Sequence, residues 1–392
     1  MTKITYCIPS KNNFRYLKNS VRSIRKNSEL EYDIVVFVDS DNDGTESWLK
    51  EERITYIKNN DSEPKGIAYA YNRCIELATT EVVCMFHADM YMAKGFDVNA
   101  LKHLKPKVVV SATRIEPPLH PEGKEKIVRN FGMYPEDFNE QEFDSFVERQ
   151  KKEDKDRVTY GIFAPWMCYK SEIEAIGLHD ETFHSYHEDS DIFNRMIMSG
   201  MKCVQSRDSF VYHLTCRGGQ FQDGIEKVTS DQKFHAMKNA AMKNYLRKWG
   251  TWISNDEYQH PIVPKIYDVA FKVTNSNTRV IETLEPWCKN LFVDGEWVAV
   301  KEYINREQPS TPIDLEKKIR PITFDPTNRV VVEFDARKLN NDNFSNFVAK
   351  IDQILGQIEE EGVYEWDAFK ITVNDPRPLE PEMPFLTSKN VF

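Results

Sequence analysis

Apolar and polar positions change in blocks along the first 110 residues. The run "ITYCIPS" is short, β-rich and stopped at Pro9. In "YLKNSVRSIRKN", Leu17, Val21 and Ile24 recur at helical spacing. The core "IVVFV" of "YDIVVFVDSDNDGT" is continuously apolar, as expected of a strand covered on both faces, and it ends in Asp39. "RITYIKN" predicts a strand, "GIAYAYNRCIELAT" a helix with a glycine near its start, "EVVCMF" a strand, and "KVVVSAT" the strand after it. This alternation predicts an α/β domain with a mainly parallel sheet. Ligands of such sheets sit at the carboxyl ends of the strands, where Asp39, His87 and Asp89 fall.

The pattern then loosens. "RIEPPLHPEGKEK" reads as a proline-rich loop, and "PEDFNEQEFDSFVERQKKEDKDR" as a solvated amphipathic helix. "GIFAPWMCYKSEIEAIGLHDETF" returns to apolar character around Trp166. In "HSYHEDSDIFNRMIMSG", the apolar Ile192, Phe193, Met196 and Ile197 place Glu188, Asp189 and Asp191 at a helix start, where carboxylates relieve unpaired backbone N–H groups. "FVY" is a strand with His213 at its end, and Arg217 opens a Gly-Gly loop. "DQKFHAMKNAAMKNYLRKWGTW" is a basic helix bearing Lys233, Lys238, Lys243, Arg247 and Lys248, read as a solvated face. After the linker "HPIVPK", two strand–helix–strand units follow. The expected division is 1–225, a basic helix and linker over 226–260, and a smaller α/β module over 261–392.

Bulk properties narrow the chemistry. A chain of 392 residues suits two or three domains. A net charge of −10 argues against broad coating of nucleic acid, although a local basic groove stays compatible with it. Seven cysteines, an odd number with no CxxC pair, suit a reduced intracellular protein. No leader pattern opens the chain and no apolar stretch approaches the roughly 20 residues that span a bilayer, so the expected location is cytoplasmic, with no transmembrane segment. The oligomeric state is not legible. Neither GxGxxG nor GxxxxGK[ST] is present. A bound nucleotide would need its phosphates neutralised otherwise, and a divalent cation on a strand-end carboxylate would do so.

Set in order, "IPSKNN", "VDSDNDGT", "GIAYAYN" and "HAD" make the first 220 or so residues resemble the family 2 glycosyltransferases of the GT-A fold, a Rossmann-like domain with a mainly parallel sheet. The resemblance implies an inverting, metal-dependent transfer from a nucleotide-sugar, a UDP-sugar foremost, with Mn2+ or Mg2+ as cofactor. It implies donor contacts at Pro9, Asp39, Lys65 and Asn72, with Asp39 on the uracil or ribose. Asp89 matches the last aspartate of Asp-x-Asp and would hold the cation. His87 stands where the first aspartate belongs and is expected to contact the donor, with metal ligation as the alternative. "EDSDIFNR" looks like the family's acidic motif, so Asp189 is the expected general base and Glu188 its rival. His213 is implied as a further metal ligand, Arg217 as a partner of the departing diphosphate, and Trp166 and Asp191 as acceptor contacts. Bland alternatives accompany these: a core Trp166, helix-capping carboxylates, a backbone-bonded His213. The chain is also similar to glycosyltransferases of tailed phages, which implies a hydroxymethylated base of phage DNA as acceptor, with Trp166, Trp249 and Trp252 as platforms, and a surface glycan as the alternative. A nucleotide- or carbohydrate-binding protein without catalysis is the competing class.

Overall fold

Five consecutive apolar side chains, Ile34 to Val38, are all buried in β2 (Glu31–Ser40). They are covered on both faces because β2 lies inside a sheet between β1 (Lys3–Lys11) and β3 (Thr55–Lys58). Between these strands run α1 (Phe14–Asn27) and α2 (Thr45–Glu51). Helix α1 buries Tyr16, Leu17, Val21 and Ile24, and its first free N–H, on Phe14, is accepted by Asp43 at 2.9 Å. The computed structural model describes residues 2–217, 221 and 232–380, and divides into two units.

The first unit comprises Met1–His235 and Asn255–Ile262. Its chain continues through α3 (Ile67–Leu77), β4 (Val82–Met85), β5 (Met90–Met92), α4 (Phe96–Leu101), β6 (Val108–Glu116) and β7 (Lys126–Val128). Then come α5 (Glu140–Glu153), β8 (Val158–Tyr160), β9 (Trp166–Tyr169), α6 (Lys170–Ala175), α7 (Glu188–Met198) and β10 (Lys202–His213). The main sheet runs β3-β2-β1-β4-β9-β6-β10-β5. Strands β3, β2, β1 and β4 are parallel, as are β6 and β10. The strand "KVVVSAT" does not lie beside "EVVCMF": β9 is inserted antiparallel between β4 and β6. That placement makes Trp166 a sheet residue. The charged helix α5 turns Phe143, Phe146 and Val147 inward, against Phe131, Tyr91 and Tyr212. Each such side chain, fully buried, contributes about 1.5–3 kcal/mol.

The second unit comprises Ala236–Ser254 and Val263–Phe392. Helix α8 (Gln232–Trp249) feeds into it, followed by β11 (Val269–Thr274), α9 (Thr278–Leu284), β12 (Asn290–Val293), α10 (Trp297–Glu307), α11 (Leu315–Lys318) and β13 (Ile319–Pro321). It ends with β14 (Val330–Asp335), α12 (Asn341–Asn346), α13 (Ile351–Leu355), β15 (Gly362–Trp366) and β16 (Phe369–Val373). The sheet order is β13-β12-β11-β14-β16-β15, parallel as far as β14 and antiparallel beyond it. The solvated-face reading of the basic helix fits the exposed Lys233 and Lys238 and is corrected for Lys243 and Arg247. Arg247 is buried and forks onto Glu285 (Nη2–Oε2 2.6 Å) and Glu307 (2.8 Å), while Lys243 reaches Glu307 at 3.0 Å. Glu285 also accepts from Lys318 at 2.8 Å and from the Tyr303 hydroxyl at 2.9 Å. The helix uses its cations to anchor a core. All seven cysteines are free thiols, and six are buried. Among the described residues no helix is long and apolar enough to cross a membrane.

Candidate active site

Strand order reverses between β1 and β4, because β2 and β3 extend to one side of β1 and β4 lies on the other. A crevice at the carboxyl ends of the strands is expected at such a point. Pro9 lies near the end of β1, opposite Phe37, and the β4 exit is tied to β1 by the Phe86 N–H on the Cys7 carbonyl at 3.0 Å. At the end of β2 the buried Asp39 organises the following loop. Its Oδ1 accepts from Lys65 N (2.7 Å) and Asn59 Nδ2 (3.0 Å), and its Oδ2 from Gly66 N (2.9 Å). Three of a carboxylate's roughly four lone-pair positions are thus used, which leaves room on Oδ2 for one more donor. Lys65 contributes its backbone N–H there, while its ammonium pairs with Asp61.

His87 and Asp89 leave β4 and meet His213 at the end of β10. One ligand atom from each of the three lies within 4.8 Å of the others. His213 Nδ1 is 2.9 Å from Glu116 Oε1. Its Nε2 is 3.4 Å from Asp89 Oδ1, yet is buried and forms no hydrogen bond. Burial would lower the His213 pKa, but the carboxylates of Asp89 and Glu116 outweigh it and push the group up to about 9. Burial would raise Asp89, but the charge of His213 outweighs that, with the Arg217 N–H adding to it, and its carboxyl is held well below the usual range. His87 goes the other way, lowered to about 4 by burial against the pull of Asp89. With its proton displaced, the His213 Nε2, beside the Asp89 carboxylate and the His87 imidazole, fits a divalent cation, and these three residues would hold it.

The acidic pair begins α7. Tyr186 and His187 turn the chain through the left-handed region (φ 71° and 70°), and Glu188 and Asp189 occupy the first helical turn. There the positive end of the helix favours them. Burial and the charge of Asp189 push Glu188 well above the carboxylic range, and its Oε2 has no hydrogen-bond partner. Burial also raises Asp189, opposed by the Ser190 N–H at 2.6 Å. Arg114 acts on Asp189, on His87 and on Glu116, so the helix start and the imidazole cluster share one electrostatic field. The donor-side loop touches the same turn. Ile67 N–H bonds the His184 carbonyl at 2.6 Å, and Gly66 (φ 87°) packs against it so closely that a Cβ would sit 2.0 Å from that oxygen.

Three expectations are corrected. Trp166 is a core side chain of β9, packed on Phe193 and His179, and cannot stack on an acceptor. Asp191 is fully buried in an ion pair with Arg195 at 2.9 Å, one helical turn on, and so cannot touch an acceptor. Asn72 spends its amide on the His179 backbone and Glu181, which braces the 179–181 turn instead of reaching a base. Arg217 touches Asp89 through its backbone, its N–H bonding Oδ2 at 3.0 Å, and its buried Nε and Nη1 have no hydrogen-bond partner among the described residues. Its guanidinium donates to the Met133 carbonyl at 2.6 Å and lies over the rings of Tyr134 and Tyr16. The glycines that follow Arg217 lie outside the described residues.

Sequence reading missed Glu116 and Arg114. Both side chains are buried and bonded to each other at 2.7 Å, and Glu116 also pairs with Lys126 at 3.0 Å. The available signal was two charges within the otherwise apolar strand "VVVSATRIE".

Residues 5–171 match the model of glycosyl transferase family 2. No curated protein matches the chain. Similar solved structures include S. aureus TarS 1–349, at 13% identity over 54% of this chain and 60% of that one, with a TM-score of 0.40. GalNAc-T7 with UDP, GalNAc and Mn2+ is 12% identical over 79% of this chain and 54% of that one, with a TM-score of 0.45. The mannosyltransferase PcManGT from Pyrobaculum calidifontis, in complex with GDP-Man and Mn2+, is 19% identical over 62% and 69%, with a TM-score of 0.39. The chain thus spans 60% and 54% of the length of the first two. The family match covers the β1–β4 half of the sheet and both strand-end acids, so residues 5–171 are similar to a family 2 glycosyltransferase domain.

Proposed function

We propose that this protein is an inverting glycosyltransferase that moves a sugar from a nucleotide diphosphate, a UDP-sugar foremost, to an acceptor hydroxyl. The observation that carries the reading is the convergence of His87, Asp89 and His213 within 4.8 Å at the strand ends. A divalent cation held there supplies charge neutralisation of the departing diphosphate. Asp39 offers its remaining lone pair to an N–H or O–H of the nucleoside. Of the acidic pair, Asp189 ionises first, because Ser190 hydrogen-bonds its charge while Glu188 lacks a partner for Oε2. Asp189 is therefore the base. It takes the acceptor proton as the acceptor oxygen attacks the anomeric carbon. The bond from that carbon to the diphosphate oxygen breaks with its electron pair, and configuration inverts.

The proposed acceptor is a glycan ahead of a hydroxymethylated DNA base. Two of the three aromatic platforms considered for DNA, Trp166 and Trp249, are buried, which leaves only the exposed Trp252. The net charge of −10 points the same way. Calorimetric titration of UDP with and without Mn2+, on wild type and Asp89→Ala, tests the donor site. Mn2+-dependent binding that Asp89→Ala abolishes supports it. Binding in wild type that ignores both Mn2+ and the substitution overturns it, as does silence towards UDP, GDP and CDP alike.

A further inference from the structure

We propose that Glu116 is the positioning residue of the metal centre: it keeps a proton on His213 Nδ1, so that the bare Nε2 faces Asp89 and His87. The inference rests on the reading that this cluster holds a cation. Glu116 ends β6 and His213 ends β10, neighbouring parallel strands in which Ile115 pairs with Tyr212. The two side chains therefore emerge side by side, and Nδ1 and Oε1 stand 2.9 Å apart. Arg114 at 2.7 Å and Lys126 at 3.0 Å flank the Glu116 carboxylate in a buried setting. Lys126 arrives there because β7 pairs with β6 opposite Arg114. Across the 2.9 Å contact with His213 the carboxylate oxygen accepts and Nδ1 donates. In the neutral ring the lone pair is then on Nε2, 3.4 Å from Asp89 Oδ1. A cation that displaces the Nε2 proton would be shared by that lone pair and the Asp89 carboxylate. Histidine ligands commonly donate their second N–H to a carboxylate, and removing that partner lowers metal affinity about 10–100-fold. Arg114 and Lys126 complete the device, since they balance a charge that would otherwise be costly to bury.

The test is Mn2+ titration of the full chain, followed by the electron paramagnetic resonance signal of free Mn2+. Glu116→Met keeps the approximate length and removes the accepting oxygen; Glu116→Gln keeps an oxygen for Nδ1–H. Wild type and Glu116→Gln are expected to bind within about fivefold of each other, and Glu116→Met about 10–100-fold more weakly. Wild-type binding with an unimpaired Glu116→Met overturns the role of Glu116 and leaves the metal site standing. No Mn2+ binding by wild type overturns the metal reading itself. If Glu116→Met does not fold, nitrogen-15 NMR of Zn2+-loaded wild type decides: a proton on His213 Nδ1 supports the proposal, and a proton on Nε2 overturns it.

Discussion

Asp89 is bonded twice to the segment that follows β10: its carboxylate accepts the Arg217 N–H at 3.0 Å and its carbonyl the Leu214 N–H at 2.9 Å. One residue thus belongs to the proposed cation site and fixes the chain that passes beside it. Asp89→Ala should remove Mn2+-dependent UDP binding, a loss of at least about 100-fold by calorimetry, from one carboxylate ligand and one charge-assisted hydrogen bond. Asp89→Asn retains an oxygen for the Arg217 N–H, and should therefore fold like wild type in thermal unfolding while still losing the metal.

The acidic pair divides its labour by environment. Asp189→Asn should lower kcat about 10²–10⁴-fold with KM little changed, as expected of a general base. Glu188→Gln should cost less than about tenfold, because the group it replaces already carries its proton. Steady-state rates with a UDP-sugar check both. Equal losses at the two positions would reverse or dissolve the assignment.

Two imidazoles and one carboxylate make a softer donor set than paired carboxylates. Mn2+ and Co2+ should therefore bind at least about tenfold more tightly than Mg2+ and Ca2+. Competition of each ion against Mn2+ in the resonance titration measures the order, and His87→Asp should shift preference back toward Mg2+.

Gly66→Ala would drive a methyl into the His184 carbonyl at a backbone angle side chains resist. Destabilisation of about 1–3 kcal/mol is expected, read by urea unfolding. The accompanying kcat loss should exceed what reduced stability explains, since the turn before Glu188 must move.

Acid should weaken the second unit through Glu285. Burial alone would raise its pKa, but Lys318 and Arg247 outweigh that and lower it from 4.5 to about 2. A depressed carboxyl contributes stability that is complete above its unfolded value, near 4.5, and lost as pH falls through about 2. The contribution is about 3 kcal/mol. Urea midpoints between pH 6 and 2 should fall over the lower part of that range in wild type. Glu285→Gln should be less stable at pH 6, because Arg247 and Lys318 are left buried without their counter-charge, and should show a flatter acid response.

Local pattern made much of this legible. The continuous run "IVVFV" announced a covered strand, and the 3.6-residue spacing of Leu17, Val21 and Ile24 announced α1. His87, Asp89 and His213 were visible because polar groups ended apolar strands. The insertion of β9 between β4 and β6 was not, since which strand pairs with which is a long-range choice that no local period encodes. From that gap followed the misreading of Trp166. Arg247 and Glu116 were missed for a related reason: a charge reads as surface until its partner, 38 residues away for Glu285 and 97 for His213, is brought beside it.

The contact of Gly66 with His184 also bears on redesign of the enzyme. The loop at 59–66 is shaped by Asp39 on one side and abuts the turn before α7 on the other. Swapping that loop from another chain to alter nucleotide preference would import a Cα path that the 184–187 turn was not shaped to meet. The two segments form one unit of exchange, and a chimera that transplants both together keeps the joint on which α7 is seated.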